Sequence, residues 1–291
     1  MKTIITICFG VALGLLSGCS TLHKQSSGAT LYTYANGFVT DRDNKIVAHY
    51  ANGFVTKNAD ISRQKHIRIN SDLELFRLTS NCFLYTAWAD MGRWGRIGSN
   101  GLVVVKNGKA LLIDTPVHES QTVELAWWLD KNLDAKLESF VPGHWHDDCV
   151  GGMAWLNRNH VQTYANIRTN QLLASKGLEQ AKESFSDSLT LKVGNTDVEL
   201  HYLGGGHSID NIVVWIPSKK ILFGGCMVKA MNATTIGNTT DAAPLSEWIE
   251  TIKRIEDKFP DAKIIVPGHG EYGGKELLEH TKKIIQDETS D

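Results

Sequence analysis

Two histidines separated by a single residue, His144 and His146, with Asp148 two positions further on, are the side chains in this sequence best suited to holding a metal ion. Alternate residues of an extended segment share one side, so the two imidazoles can meet one cation while the carboxylate reaches a second beside it. A lone histidine is more often a packed structural residue. The alternation, the carboxylate, and the Gly151-Gly152 pair opening a helix-forming run (MAWLNRN) favour a site instead. Three more candidates stand in glycine-rich turns that follow or interrupt apolar β-prone runs: His207 in GGGHSIDN, Cys226 in FGGCMVK and His269 in VPGHGEYGG. Glycines let the backbone bend sharply where a side chain must face an ion. Together these residues make six ligands for two zinc ions.

Cysteine usage points the same way. Of five cysteines, Cys8 falls in an apolar N-terminal run and Cys19 at its end, which leaves Cys82, Cys149 and Cys226. An odd number argues against a disulfide framework. Free thiols in an oxidising compartment need something to hold them, and a metal is the commonest holder.

The elements that must position these residues can be read from periodicity. GLVVV at 101–105, a KNGK turn and ALLID at 110–114 predict a hairpin of buried strands, followed by a helix over 120–133. ESFVPG predicts a strand just before His144. NIVVWIP and KILFGG predict a second hairpin; a helix then starts near Pro244, the strand KIIVPG follows, and a last helix runs through GGKELLEHTKKIIQD. The pattern is that of two sheets packed together with helices outside, built from two similar halves within one domain.

Upstream, Lys2 and an apolar run over 4–16 are too short to span a bilayer and fit a secretory signal. Leu16-Ser17-Gly18-Cys19 resembles a bacterial lipobox, with Cys19 acylated as the new N-terminus, and Ser20 resembles outer-membrane sorting. The expected location is the periplasm, with the lipid in the inner face of the outer membrane. The chain thus divides into a lipoprotein signal at 1–18, a lipidated tether at 19–66, and one folded domain at 67–291. The tether carries a near-exact duplication, YANGFVT at 34–40 and 50–56, each with an Asn-Gly turn signal. Two copies cannot form a solenoid; an added hairpin or a loosely ordered segment is expected.

Composition excludes other classes. With 30 Lys and Arg against 32 Asp and Glu, a net charge of −2 offers no footprint for nucleic acid. Partners should be small molecules, met by individual residues, and the chain is expected to act as a monomer.

In their order along the chain, HWHDDC, GHSIDN, GGCMVK and GHGEYGG resemble the metallo-β-lactamase superfamily over roughly 67–286, and within it the first subclass of class B β-lactamases. The resemblance implies a four-layer αββα sandwich with the site at one edge of the packed sheets. It implies that His144, His146 and His207 bind one zinc and Asp148, Cys226 and His269 a second. Cys226 discriminates: related glyoxalase-type and lactonase hydrolases carry a carboxylate there and usually a second His after the Asp, where this chain has Cys149. The implied reaction is opening of a β-lactam amide by hydroxide on the three-histidine zinc, which keeps an open position and lowers the pKa of bound water towards about 7. Asp148 would also orient the hydroxide.

Other positions take roles from the same resemblance. Lys229 would pair with the carboxylate of a β-lactam, and Asn238 would donate a hydrogen bond to the developing oxyanion. Asp114 would accept a hydrogen bond from a ligand histidine and fix its tautomer. The stretch 83–101 resembles a hairpin that folds over substrate, with Trp88 and Trp94 as apolar contacts or, for one or both and equally for Trp88, as core or edge packing. Cys149, where the subclass more often has Ser or Arg, is either a small buried side chain, or a competing ligand or oxidation-sensitive neighbour of the metals. Two other readings stand beside this one: a hydrolase of the same fold acting on thioesters, lactones or phosphodiesters, and a zinc-binding envelope lipoprotein without turnover.

Overall fold

The computed structural model describes residues 65–289, together with the backbone of three short strands upstream, β1 (Tyr32–Thr33), β2 (Phe38–Thr40) and β3 (Ile46–His49). These three pair antiparallel in the order β1-β2-β3, and β2 is the Phe-Val-Thr of the first YANGFVT copy. The signal, Cys19 and the second copy lie outside the described residues.

The main body begins with four antiparallel strands, β4 (His66–Arg68), β5 (Leu73–Arg77), β6 (Cys82–Asp90) and β7 (Arg96–Lys106), which β8 (Lys109–Ile113) joins in the same sense. The predicted KNGK turn closes β7 on β8 with Lys106 opposite Lys109. Helix α1 (Glu119–Leu133) then crosses over to β9 (Lys136–Val141), parallel to β8. Two short helices, α2 (Asp147–Val150) and α3 (Met153–Arg158), lead to β10 (Gln162–Asn166), and α4 (Ile167–Ser175) to β11 (Glu183–Phe185). The result is an eight-stranded sheet in the order β11-β10-β9-β8-β7-β6-β5-β4.

The second half repeats the plan on a smaller scale. Strands β12 (Ser188–Val193), β13 (Thr196–His201), β14 (Val213–Ile216) and β15 (Ile221–Gly225) are antiparallel neighbours. Helix α5 (Leu245–Lys258) crosses over to β16 (Ile264–Pro267), parallel to β15, and α6 (Glu276–Glu288) follows. In each half an antiparallel run ends in a helical crossover to a parallel strand.

Period-two alternation builds the layers. On β6, Phe83 and Tyr85 face a core shared with Leu125 and Leu129 of α1 and Leu156 of α3. Their neighbours Cys82 and Leu84 face a second core between the sheets, with Leu102, Ile113, Val214 and Phe223. A third core joins Val213 and Leu222 on the outer face of the second sheet to Trp248 and Ile252 of α5 and Ile285 of α6. Three cores separate four layers, helix, sheet, sheet and helix, which is the predicted αββα sandwich.

Candidate metal centre

The six expected ligands all follow strand ends on one edge of the sandwich. His144, His146 and Asp148 come from the segment after β9, His207 from the turn between β13 and β14, Cys226 from the residue after β15, and His269 from the turn after β16. Backbone stitches hold the two halves together here. Gly143 donates its N–H to Asp114 Oδ1 at 2.5 Å, while its carbonyl accepts from Ile212 N of the second half at 2.9 Å. Two glycines are dictated by close approach: a Cβ on Gly268 would sit 2.4 Å from Cys226 Sγ, and one on Gly151 would sit 2.1 Å from the carbonyl oxygen of Val117.

His144, His146 and His207 are all buried, and their nitrogens converge. His144 Nε2 lies 2.9 Å from His146 Nδ1, which lies 3.1 Å from His207 Nε2. Burial pushes the pKa of His207 well below the ordinary histidine value, and burial and the neighbouring His144 lower that of His146. Neutral imidazoles aimed at one point offer lone pairs to a cation and little to each other. The second set is Asp148, Cys226 and His269. Asp148 Oδ2 lies 3.2 Å from His269 Nε2, and Cys226 Sγ lies 3.8 Å from that oxygen and 3.5 Å from that nitrogen. Tetrahedral zinc with bonds of about 2.0–2.3 Å would hold its donors roughly 3.3–3.8 Å apart. Both sets therefore fit zinc in donor type and come within a few tenths of an ångström of its spacing.

Charge in the second set is arranged accordingly. Burial is the largest single influence on Asp148 and works against its ionisation, yet the hydrogen bond with His269 together with the charges of His269, His144 and His207 outweighs it and holds the carboxylate well below its usual range. Burial also opposes charge on His269, but the Cys226 sulfur and the Asp148 carboxylate raise its pKa well above the ordinary value. A hydrogen bond from the Cys149 thiol keeps Cys226 low against its own burial, and burial pushes Cys149 up. A proton on His269 does electrostatically what a cation between these groups would do.

Around the metal donors lies a cleft of about 440 Å³, lined in part by His146, Asp148, His207 and His269, with Lys229, Asn238 and Trp94 in its wall. Lys229 is 9 % exposed, stacked 5.4 Å from the Trp248 ring, and among the described residues no carboxylate pairs with it. Asn238 is exposed, and its Oδ1 accepts the N–H of Thr240 at 3.0 Å. Trp94, in the turn between β6 and β7, is 52 % exposed.

Two expectations need correction. Trp88 does not line the cleft: it pairs with Gly98 across β6 and β7, donates Nε1–H to Glu74 Oε1 at 3.3 Å and lies under Arg96. Alternation puts Ile97 and Ser99 on the cleft side of the hairpin and Trp88 on the other. Asp114 does not touch a ligand histidine. It sits at φ 59° with Gly143 N–H on one oxygen, and Cys149 takes the expected place, its Sγ 3.1 Å from His144 Nδ1 and within hydrogen-bonding reach of the Asp114 carboxylate. The sequence reading missed Asn100, a buried residue of β7 that reaches into the second half. Asn100 Nδ2 donates to the carbonyls of Pro267 at 3.0 Å and Gly270 at 2.7 Å, while His269 Nδ1 lies 3.0 Å from Gly98 O. A polar residue inside the apolar run GSNGLVVV was the signal for it.

A sandwich of this topology with this donor set is that of a metal-dependent hydrolase, and the metallo-beta-lactamase superfamily model matches residues 94–269. The chain belongs to that superfamily, whose members depend on zinc. It is 45% identical over 225 residues to a metallo-beta-lactamase type 2 of Bacteroides fragilis, covering 77% of this chain and 90% of that one. A Pseudomonas aeruginosa metallo-beta-lactamase type 2 is 38% identical over 211 residues, covering 72% of this chain and 83% of its own length. The solved structure of TMB-1 superposes with a TM-score of 0.71 at 40% identity, covering 76% of this chain and 100% of that one.

Proposed function

We propose that this chain is a class B β-lactamase that hydrolyses the amide bond of penicillins, cephalosporins and carbapenems and so confers antibiotic resistance. The first zinc would be held by His144, His146 and His207, the second by Asp148, Cys226 and His269. Zinc with an open coordination position lowers the pKa of water towards about 7 and makes hydroxide available at neutral pH.

The observation that carries the reading is Lys229. A buried ammonium without a carboxylate partner is costly unless a ligand completes it, and this one lies in the same wall as the metal donors. The carboxylate carried by β-lactams would complete it and set the lactam over the two donor sets. Asp148, in the cleft beside both donor sets, would orient the attacking water. Asn238 at the cleft wall would donate to the carbonyl oxygen as charge develops there. Trp94 supplies an exposed apolar face above the bound ring. Mature protein should turn over a chromogenic cephalosporin and a carbapenem, lose both activities to a chelator and regain them with zinc. No turnover of either in zinc-replete buffer would overturn the reading.

Residues 1–18 are proposed as the signal, 19–66 as a tether acylated at Cys19 and sorted to the outer membrane, and 67–291 as the catalytic domain, acting as a monomer. The lipobox-like Leu16-Ser17-Gly18-Cys19 supports this, and among the described residues no helix is long and apolar enough to cross a membrane. Cys19→Ala should move the protein from the membrane fraction to the soluble periplasm; continued sedimentation with membranes would refute the anchor.

A further inference from the structure

The three thiols of the folded domain are all free and buried, but they stand in two settings. Cys82 packs in the core between the sheets. Cys149 and Cys226 come from opposite halves of the sandwich, yet their sulfurs belong to one group of donor atoms, with His144 and Asp148, that all lie within 4.8 Å of one another. Cys149 Sγ lies 3.1 Å from His144 Nδ1 and Cys226 Sγ 3.8 Å from Asp148 Oδ2, and of the two sulfurs only Cys226 belongs to the proposed zinc sets. A Cβ at Gly268 would sit 2.4 Å from Cys226 Sγ, so the glycine keeps that side of the sulfur open.

We propose that Cys149 and Cys226 are a modification site: when the metal leaves, a small peroxide joins them in a disulfide that removes the thiolate of the second zinc set. The proposal rests on the reading of Cys226 as a ligand. A disulfide needs sulfurs about 2.05 Å apart, so from within 4.8 Å the two must close by at most about 2.8 Å. The Cys226 thiolate attacks one peroxide oxygen, the O–O bond breaks and the second oxygen leaves as water after taking up a proton. Cys226 is then a sulfenic acid. Cys149 Sγ attacks that sulfur, the S–O bond breaks, and the departing hydroxide leaves as a second water with the Cys149 proton. Two thiols lose two electrons and two protons, and hydrogen peroxide is reduced to two waters. In the zinc-loaded protein Cys226 is coordinated and the first step is suppressed.

A simpler role for Cys149, orienting His144 through Nδ1, predicts no cross-link, so the two are separable. Zinc-stripped protein should be treated with one equivalent of hydrogen peroxide, alkylated after unfolding, and examined by intact mass and peptide mapping. Zinc uptake is then measured on reloading. The expected product has lost the mass of two hydrogens, carries a Cys149–Cys226 cross-linked peptide and is alkylated at Cys82 only. It should reload one zinc per chain rather than two, and a dithiol reductant should restore the second. Zinc-loaded parent should keep all three thiols alkylatable, Cys82→Ser should behave as the parent, and Cys149→Ser should form no cross-link. Alkylation at Cys149 after oxidation, gain of oxygen in place of the cross-link, or the same loss of zinc uptake in Cys149→Ser would overturn the proposal. Mass and zinc content are read without any β-lactam, and failure of the reading of Cys226 as a ligand is seen separately, as a Cys226→Ser variant that still loads two zinc ions per chain.

Discussion

The two halves of the sandwich supply the metal centre in different ways. In the first, three donors lie within 144–148 on one segment after β9, so local chain geometry places them together. In the second, His207, Cys226 and His269 stand on three separate connections, each brought to the edge by its own strand. Their alignment depends on contacts made across the halves. Ile212 N–H reaches Gly143 O at 2.9 Å, Asn100 N–H reaches Gly268 O at 2.8 Å, and Gly98 O lies against His269 Nδ1. Both donor sets draw on both halves, but in the second a ligand, His269, is also held against the Gly98 carbonyl of β7, so a change in β7 should disturb the second set first.

The strongest test of that asymmetry is Asn100→Ala. Its side chain satisfies Pro267 O and Gly270 O and, through Oδ1, accepts from Thr86 Oγ1 at 2.8 Å, all with the residue 2 % exposed. Removing it leaves buried groups unpaired, at a cost on the order of 1–3 kcal/mol. Asn100 touches no ligand itself but fixes the carbonyls on either side of His269, and since loss of a direct outer partner of a ligand typically weakens metal binding by roughly 10–100-fold, an effect at the lower end is expected. Asn100→Ala should therefore melt earlier and bind its second zinc about tenfold more weakly, with the first unchanged, as read by zinc titration against a chromophoric chelator. Equal weakening of both sites would remove the distinction between the halves.

How much of this was legible in the sequence follows the same division. The segment His144-Trp145-His146-Asp147-Asp148 declares itself by spacing, and the three glycine-rich turns declare candidates, since the chemistry there needs tight backbone. The layers were legible too, because buried strands bounded by turns and an amphipathic α5 leave few alternatives. Side-chain facing was not. The sequence leaves Trp88 either facing the cleft or packed at the edge, and alternation along the hairpin carries it to the edge; deciding that required the register of β6 on β7, set by the Met91–Gly95 turn and the pairing of Asp90 with Arg96. Nor could spacing show that Cys149 would stand between Asp114 and His144, since that follows from how the halves dock.

Lys176 is the case with no sequence signal at all, and it supports the smallest of the expected effects. It follows α4, far from any motif, yet its Nζ lies 4.0 Å from the ring centroid of Trp145, between the two alternating histidines, and 3.0 Å from Asp241 Oδ2. Asp241 stands at φ 57° on the connection that carries Asn238, and its carbonyl accepts from Ile209 N at 2.8 Å. One ammonium thus clasps the first-half ligand segment to the second-half loop over the cleft. With Lys176 and Asp241 side chains 31 % and 33 % exposed, solvent screening limits the ion pair to about 0–1 kcal/mol, and the cation–π contact to about 0.5–1 kcal/mol. Lys176→Met keeps apolar contact with Trp145 and discards the charge. Since the clasp touches no metal donor, zinc content should stay at the parent's value and thermal stability should change little. What should move is the loop that brings Asn238 to substrate: about 1 kcal/mol corresponds to roughly fivefold in KM, with kcat nearly unchanged. Lys176→Arg should recover most of it, and Asp241→Asn combined with Lys176→Met should add little to either alone. A KM that stays at the parent's value in Lys176→Met, or a loss of zinc in its place, would show that the two halves meet over the cleft without this residue.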